Sequence, residues 1–239
     1  MQIDIITLFP DMLKGPFGES IIKRAKNKNL VEINIHNLRK WTTDKRGTVD
    51  DKPYGGGVGM VMMATPIVDA ISELKTQNSK LKTTTQNLKI KTILLSPKGK
   101  VWKQELALKY SKLDRLILIC GHYEGVDERV REFIDEEISI GDFILTGGEI
   151  PSMVMVDSIV RLIPGVLEKP DATKFESFSL LTSQPHLQLE YPQYTHPEEF
   201  KGLKVPTVLL SGNHEEITKW RTEKAIEITK KNRPDLLKN

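Results

Sequence analysis

Two largely apolar runs, 90–95 and Arg115–Cys120, each stop at residues that leave a strand: Ser96-Pro97-Lys98-Gly99 after the first and Gly121 after the second. A helical stretch over 102–109 lies between them. Parallel neighbours need a crossover connection, so this order of strand, loop, helix, strand, loop predicts an open parallel sheet. Such sheets collect ligands at the carboxyl ends of their strands, which puts both loops on one edge. Residues 2–8 read as a first strand, 19–28 as a helix, and 31–35 as an alternating strand with Val31, Ile33 and Ile35 on one face. A helix over 60–74, entered near Pro66, and another over 152–163, stopped by Pro164-Gly165, complete the α/β pattern. The stretch 75–89, rich in Thr, Gln, Asn and Lys, is expected to be an exposed connection.

From 166 to about 190 no period is sustained, which predicts a domain boundary and linker. Beyond it, helices are expected at 197–201 and 214–231, the latter with Ile217, Trp220, Ala225 and Ile228 along one stripe. A hydrophobic fraction of 38% in 239 residues is enough for a packed core and excludes disorder as the general state. The opening MQIDIITLFP reads as strand and not as a secretory leader, and no run approaches ~20 uninterrupted apolar residues. The lone Cys120 cannot form an internal disulfide, which fits a reducing cytosol; at the end of an apolar strand it is expected to be buried packing.

Cations are clustered although the net charge is only +3: Lys23, Arg24, Lys26 and Lys28, then Arg39, Lys40, Lys45 and Arg46, then Lys219, Arg221, Lys224, Lys230, Lys231 and Arg233. Clusters of this kind are either solvated faces or surfaces that neutralise phosphates of a nucleic acid. Four glycines in five residues, Gly55-Gly56-Gly57-Val58-Gly59, fit a backbone that turns tightly or passes close to a ligand. No GKS or GKT follows, so this is not a phosphate loop of nucleotide hydrolases. CGHYEGVDER (120–129) and SIGDFILTGGE (139–149) carry further glycines beside an aromatic ring and carboxylates, without the GxGxxG spacing of a dinucleotide fold. The five histidines are scattered and form no metal-ligand spacing; His122 is expected to be a loop hydrogen-bonder.

Taken together, ITLFP (6–10), TVDDKPYGGGVGM (48–60), LLSPKG (94–99), CGHYEGVDERV (120–130), SIGDFILTGGE (139–149), DSIVRLIPGV (157–166), YPQYTHP (191–197) and VPTVLLSGNHEEITKWR (205–221) resemble the bacterial tRNA (guanine-N1)-methyltransferase family along essentially the whole chain. The resemblance implies an α/β methyltransferase domain with a deep trefoil knot in the cofactor region, a flexible linker and a small helical domain. It divides the chain into a knotted S-adenosylmethionine-binding domain (1–165), a linker bearing the catalytic carboxylate (166–190) and a tRNA-binding domain (191–239). It also implies a cytoplasmic homodimer with active sites at the subunit interface, and the guanosine immediately 3′ of the anticodon as substrate.

By the same resemblance the cofactor pocket would be formed by Leu95, Ser96 and Pro97, then Gly121, Tyr123, Glu124 and Gly125, then Ile140, Gly141, Phe143, Leu145, Gly147 and Gly148. Gly55, Gly56, Gly57 and Gly59 would lie across the cofactor beside the target base, with Arg46, Asp50 and Lys52 holding nearby nucleotides. In the last domain, His196, Lys219 and Arg221 would face RNA; His196 stands where the family commonly has Arg. Guanine N1 carries a proton, so methylation needs a base at N1 and positive charge near O6. Arg161 would support the base and that charge, with Asp157 as a helper. The base would be Glu176, in Glu176-Ser177-Phe178 where the family usually has Asp; Asp171 is the alternative. No metal is needed to activate the methyl group, and an assisting Mg2+ would have no site that the sequence defines. Competing readings are a non-catalytic RNA-binding protein and a ribose 2′-O-methyltransferase of the same superfamily.

Overall fold

Alternation of apolar residues through both faces of the strands explains the architecture of the first part of the chain. The computed structural model describes residues 1–80, 88–169, 172–174, 176–179 and 188–237. The elements run β1 (Gln2–Thr7), α1 (Asp11–Lys14), α2 (Ser20–Asn27), β2 (Glu32–Asn37), β3 (Asp50–Asp51), β4 (Val61–Met62), α3 (Ala64–Lys80), β5 (Ile90–Val101), α4 (Gln104–Tyr110), β6 (Arg115–Cys120), β7 (Glu136–Ser139) and α5 (Glu149–Val160). Strands β2-β1-β6-β5-β7 form one sheet in that order, and every pairing in it is parallel.

In β6 every residue is buried, so the strand has no solvent face and the alternation divides two cores. Leu116, Leu118 and Cys120 pack with Ile3, Ile5, Ile93 and Leu95 beneath α2, α4 and α5. Ile117 and Ile119 turn the other way, with Ile6, Leu94 and the α3 residues Ile67, Ile71 and Leu74. Each of these side chains, fully buried, is worth about 1.5–3 kcal/mol over exposure. Cys120 is packing material as expected, and burial raises its thiol well above the usual pKa, which keeps it protonated and unreactive. Asp4 and Arg115 form a buried ion pair: Asp4 accepts from Arg115 Nε at 2.6 Å and lies 2.8 Å from His36 Nε2. Burial would raise the Asp4 carboxyl, but the bonds from His36 and Arg115 outweigh it and hold the pKa below its ordinary value.

Several elements differ from their expected bounds. Residues 60–63 are not helical: β4 pairs antiparallel with β3, and α3 begins at Ala64. No breaker follows Leu74, so α3 continues to Lys80 through the first part of the expected loop; 81–87 lie outside the described residues. Strand β5 does not end at Leu95. Its pairing with β7 jumps from Leu95↔Ile138 to Lys100↔Ile138, so residues 96–99 loop out and the strand resumes. Gly99 permits this, because a Cβ there would strike the Glu137 carbonyl. Strand β7 is an addition to the sequence reading, and α5 starts and ends three residues before the expected 152–163.

The chain forms two compact units, Met1–Glu168 and Lys169–Asn239. The second contains a hairpin of β8 (Glu199–Phe200) and β9 (Leu203–Lys204), then α6 (Thr207–Leu210) and α7 (His214–Asn232). The hairpin replaces the helix expected at 197–201. Lys201 and Gly202 both have positive φ, 51° and 80°, which makes a two-residue turn where a helix would need negative values. Helix α7 is capped by Asn213, whose side chain accepts from the backbone N–H of Glu215 and Glu216.

Candidate active site

The loop-out within β5 and the loops leaving β6 and β7 come together and enclose a cleft of about 270 Å³. Leu95, Ser96 and Pro97 form its first wall, on the bulge that Gly99 allows. Gly121, Tyr123, Glu124 and Gly125 form the second, in the turn that ends β6; Tyr123 and Gly125 take φ of 57° and 125° there. Ile140, Gly141, Phe143, Leu145, Gly147 and Gly148 close the third side on the way into α5. Thus the residues expected around a cofactor surround one cavity.

Close approach of backbone to backbone explains the last glycine pair. Gly148 N–H donates to Gly121 O at 2.8 Å, and His122 and Gly147 form an antiparallel bridge. A Cβ on Gly148 would come within 2.6 Å of Cys120 Cα and 2.9 Å of Gly121 N. The Gly55–Gly59 stretch obeys a different rule. Gly55, Gly56, Gly57 and Gly59 all have positive φ, and Tyr54 and Val58 project into solvent. The strand after this turn is tied to the cleft wall by Glu124 N–H to Met60 O (3.0 Å) and Met62 N–H to Gly125 O (2.9 Å). Gly59 itself lies under Glu124, where a Cβ would meet Glu124 Cγ at 2.5 Å. Asp50 is half-buried in β3, while Arg46 is exposed on the preceding turn and does not line the cleft.

Four carboxylates that line the cleft, Glu124, Asp127, Glu128 and Glu137, face the cations Lys98 and Arg131. Arg131 bridges Glu128 at 2.7 Å and Glu137 at 2.6 Å, and a two-pronged bond from Arg129 holds the Asp127 carboxyl down at about 2. An acidic wall, apolar surface from Leu95 and Ile138, and exposed backbone groups at glycines fit a nucleoside-bearing ligand with positive charge, which S-adenosylmethionine is. Asp127 and Glu128 could have been picked from the run that holds Glu124. Arg131 and Glu137 had no such signal, because β7 was not legible as a strand.

The structure does not bring Arg161 to the cleft of its own chain. Helix α5 starts beside the cleft with Glu149, and Arg161, its C-cap, stands roughly 18 Å further along at 1.5 Å per residue. Glu176 belongs to the second unit, half-buried in a turn where Ser179 N–H donates to Glu176 O and Ser177 Oγ accepts from Glu190 N–H. Asp171 lies outside the described residues. In the same unit, Lys219 is exposed on α7, Arg221 sits over the Tyr191 ring at 4.9 Å, and Tyr194 and Trp220 stand 6.3 Å apart; His196 is exposed. Among the described residues no group of three or more His, Cys, Asp or Glu is placed to hold a metal, and no helix is long and apolar enough to cross a membrane.

A glycine-built cleft at the carboxyl edge of an all-parallel sheet defines an α/β protein that takes a nucleotide-like ligand. Residues 1–239 match the family described as tRNA (guanine-1)-methyltransferase TrmD. The chain is 55% identical over 237 residues to a tRNA (guanine-N(1)-)-methyltransferase of Dictyoglomus turgidum, covering 99% of this chain and 90% of that protein. It is 52% identical over 238 residues to the protein of that name from Caldanaerobacter subterraneus (100% and 92% covered), and 51% identical over 239 residues to that of Clostridium botulinum (100% and 93%). The chain belongs to the tRNA (guanine-1)-methyltransferase family.

Proposed function

We propose that this chain, as a cytoplasmic homodimer, methylates N1 of the guanosine immediately 3′ of the anticodon in tRNA, with S-adenosylmethionine as donor. The observation that carries the reading is the single cleft formed by the three glycine-bearing loops in a chain of this family. The loops from Leu95, Gly121 and Ile140 onward would hold the cofactor, with Glu124 toward its ribose or cationic centre. The bound cofactor supplies an electrophilic methyl group. Glu176 then takes the N1 proton, so that the nitrogen lone pair is free for attack. Arg161 supports that base and stabilises the negative charge that collects on O6. Gly55 to Gly59, Asp50 and Arg46 position the base and its neighbours; His196, Lys219 and Arg221 hold the RNA. A divalent ion such as Mg2+ would assist through the RNA or the base.

In this reading 1–165 is a knotted cofactor domain, 166–190 a linker that carries the base, and 191–239 the tRNA-binding domain. The knot is supported by the path after β7. From the sheet edge the chain returns to the end of the central β6, where Gly148 is pressed against Cys120 and Gly121, before α5 packs beneath β1 and β6. The homodimer is supported by Arg161, which stands a helix length from its own cleft and would serve the cleft of the other subunit. Subunit mixing tests this. Arg161→Ala and a cleft-defective Gly148→Ala chain, each inactive alone, should regain about a quarter of wild-type activity when their subunits are exchanged. No recovery in confirmed mixed dimers would place both parts of the site in one chain.

Glu176→Gln keeps the size of the side chain but cannot take a proton. Single-turnover methylation at saturating substrates should fall by ~10²–10⁴-fold, while S-adenosylmethionine affinity stays put in calorimetry. Nucleoside analysis of the product tRNA identifies the methylated atom. Near-normal transfer by Glu176→Gln together with loss in Asp171→Asn would move the base to Asp171.

A further inference from the structure

Glu149 opens α5 with a side chain only 2% exposed, and nothing in the mechanism above uses it. One of its oxygens accepts from Thr7 Oγ1 at 2.7 Å, and Thr7 Oγ1 in turn accepts from Phe9 N–H at 2.9 Å. The carboxylate therefore ties the start of α5 to the carboxyl end of β1. On its other side lies His122, from the loop after β6. The imidazole is held between the rings of Phe9, at 5.0 Å, and Tyr123, at 4.8 Å. Its Nδ1 is buried and has no hydrogen-bond partner. Glu149 Oε2 and His122 Nδ1 share one small space: a Cβ placed on Gly147 would collide with both, with Nδ1 at 2.6 Å. Gly147 leaves that space open, and a modest side-chain rotation across it would satisfy the orphaned nitrogen.

We propose that Glu149 is a positioning residue for methyl transfer: its second oxygen accepts the Nδ1 proton of His122 when the cleft is occupied, so that Thr7, Glu149 and His122 lock two walls of the cofactor cleft to the end of β1. The inference rests on the cleft's being the S-adenosylmethionine site. Its chemical logic is that two donors, the Thr7 hydroxyl and His122 Nδ1–H, converge on one carboxylate that offers two acceptors. The walls so joined are the Gly121–Gly125 turn and the Gly147-Gly148 pair, which already share the His122–Gly147 bridge. The lock acts on the shape of the cleft and not on the reacting atoms, so it should govern how well the cofactor is held.

The test uses the full-length enzyme with S-adenosylmethionine and unmodified tRNA transcript. Glu149→Gln offers one acceptor and one amide donor, so one of the converging donors must face N–H. The KM for S-adenosylmethionine, and its Kd by calorimetry, should rise ~10–100-fold. At saturating cofactor kcat should stay within ~threefold, the signature of lost uniform binding. His122→Phe keeps the ring between Phe9 and Tyr123 but loses the donor, and should show the same rise. His122→Asn, whose amide nitrogen can stand near the Nδ1 position, should restore most of the affinity. In protein carrying nitrogen-15 histidine, addition of S-adenosylmethionine should produce a hydrogen-bonded Nδ1 proton on His122 that is missing in Glu149→Gln. An unchanged cofactor KM in Glu149→Gln, or equal behaviour of His122→Phe and His122→Asn, overturns the lock. If Glu149→Gln does not fold, the His122 pair decides. Wild-type protein that binds S-adenosylmethionine but leaves guanine unmodified would defeat the proposed function while the affinity measurements still judge the lock; wild type that binds no cofactor defeats both.

Discussion

The two glycine pairs and runs that stand out in this chain look alike in sequence and are used in opposite ways. In Gly55-Gly56-Gly57 every φ is positive and nothing lies within 4 Å of an added Cβ except Pro53 Cγ at 3.8 Å from the one on Gly57. In Gly147-Gly148 neither φ is positive, and an added Cβ meets buried atoms at once. The first set is glycine because of conformation, the second because of space. An exposed turn that needs left-handed backbone is free to meet a ligand from outside. A pair packed against the end of β6 can only serve as part of a preformed wall.

That contrast predicts a large effect for Gly148→Ala. The obstacle is the Cys120 Cα at 2.6 Å and the Gly121 amide at 2.9 Å, which are backbone and cannot rotate aside. Forcing a methyl into such a place costs about 1–3 kcal/mol or more, since the two segments must separate. For a protein of this size the melting temperature should drop by roughly 2–12 °C. Separation of the Gly121 and Gly148 segments also opens the cleft, so S-adenosylmethionine binding should fall beyond detection in calorimetry. A Gly148→Ala protein of normal melting temperature and normal cofactor affinity would erase the distinction between the two glycine sets.

What the sequence could reveal follows the same division. Strands β1 and β6 were legible as short apolar runs ended by Pro10 and Gly121, and helix α7 because its apolar residues repeat at a fixed period along one stripe. The cleft residues were legible from the resemblance, with thirteen positions named in the three loops that converge. Strand β7 was hidden because it opens with Glu136 and Glu137, and its meaning depends on a partner strand and on Arg131, which bonds Glu137. The helix expected at 197–201 failed because the positive φ of Lys201 is a property of the finished hairpin, with only Gly202 to hint at it. The reading of α5 began three residues late because its first side chain is a carboxylate, and burial of Glu149 is decided by Thr7, 142 positions away. That α5 carries Arg161 away from its own cleft is likewise a fact of three dimensions: no local pattern says where a helix begins relative to a pocket.

Gly59 stands between the two cases and sharpens the comparison. Its φ is 87°, as in the open set, yet an added Cβ would press on Glu124 Cγ at 2.5 Å and Oε1 at 2.7 Å. A side chain can move where backbone cannot, so Gly59→Ala should cost only about 1 kcal/mol of stability, chiefly from left-handed strain. The displaced Glu124 leaves the cleft, and S-adenosylmethionine affinity should weaken by roughly tenfold, the scale of one charge-assisted hydrogen bond. A double-mutant cycle checks the route. In a Glu124→Ala background, Gly59→Ala should add little further loss, because the group it disturbs has already been removed. Full additivity of the two losses would mean that Gly59 acts on the cofactor independently of Glu124.

Gly56→Ala is the smallest and cleanest test of the conformational half. With φ at 82° and no atom within 4 Å, the only penalty is the strain of an L side chain in the left-handed region, about 1 kcal/mol. This corresponds to a fall of roughly 2–4 °C in melting temperature. The turn does not line the cleft, so S-adenosylmethionine affinity should equal that of wild type. If the turn does lie over the target base as proposed, a methyl group on its outer surface meets RNA instead of protein. The KM for tRNA should then rise by several-fold, about what ~1 kcal/mol of lost uniform binding produces, with kcat at saturation nearly unchanged. Loss of cofactor affinity in Gly56→Ala, comparable to that of Gly148→Ala, would show that the turn folds onto the cleft and that its glycines, too, are there for space. An unchanged KM for tRNA together with the expected loss of stability would leave the turn as a conformational feature without contact to substrate.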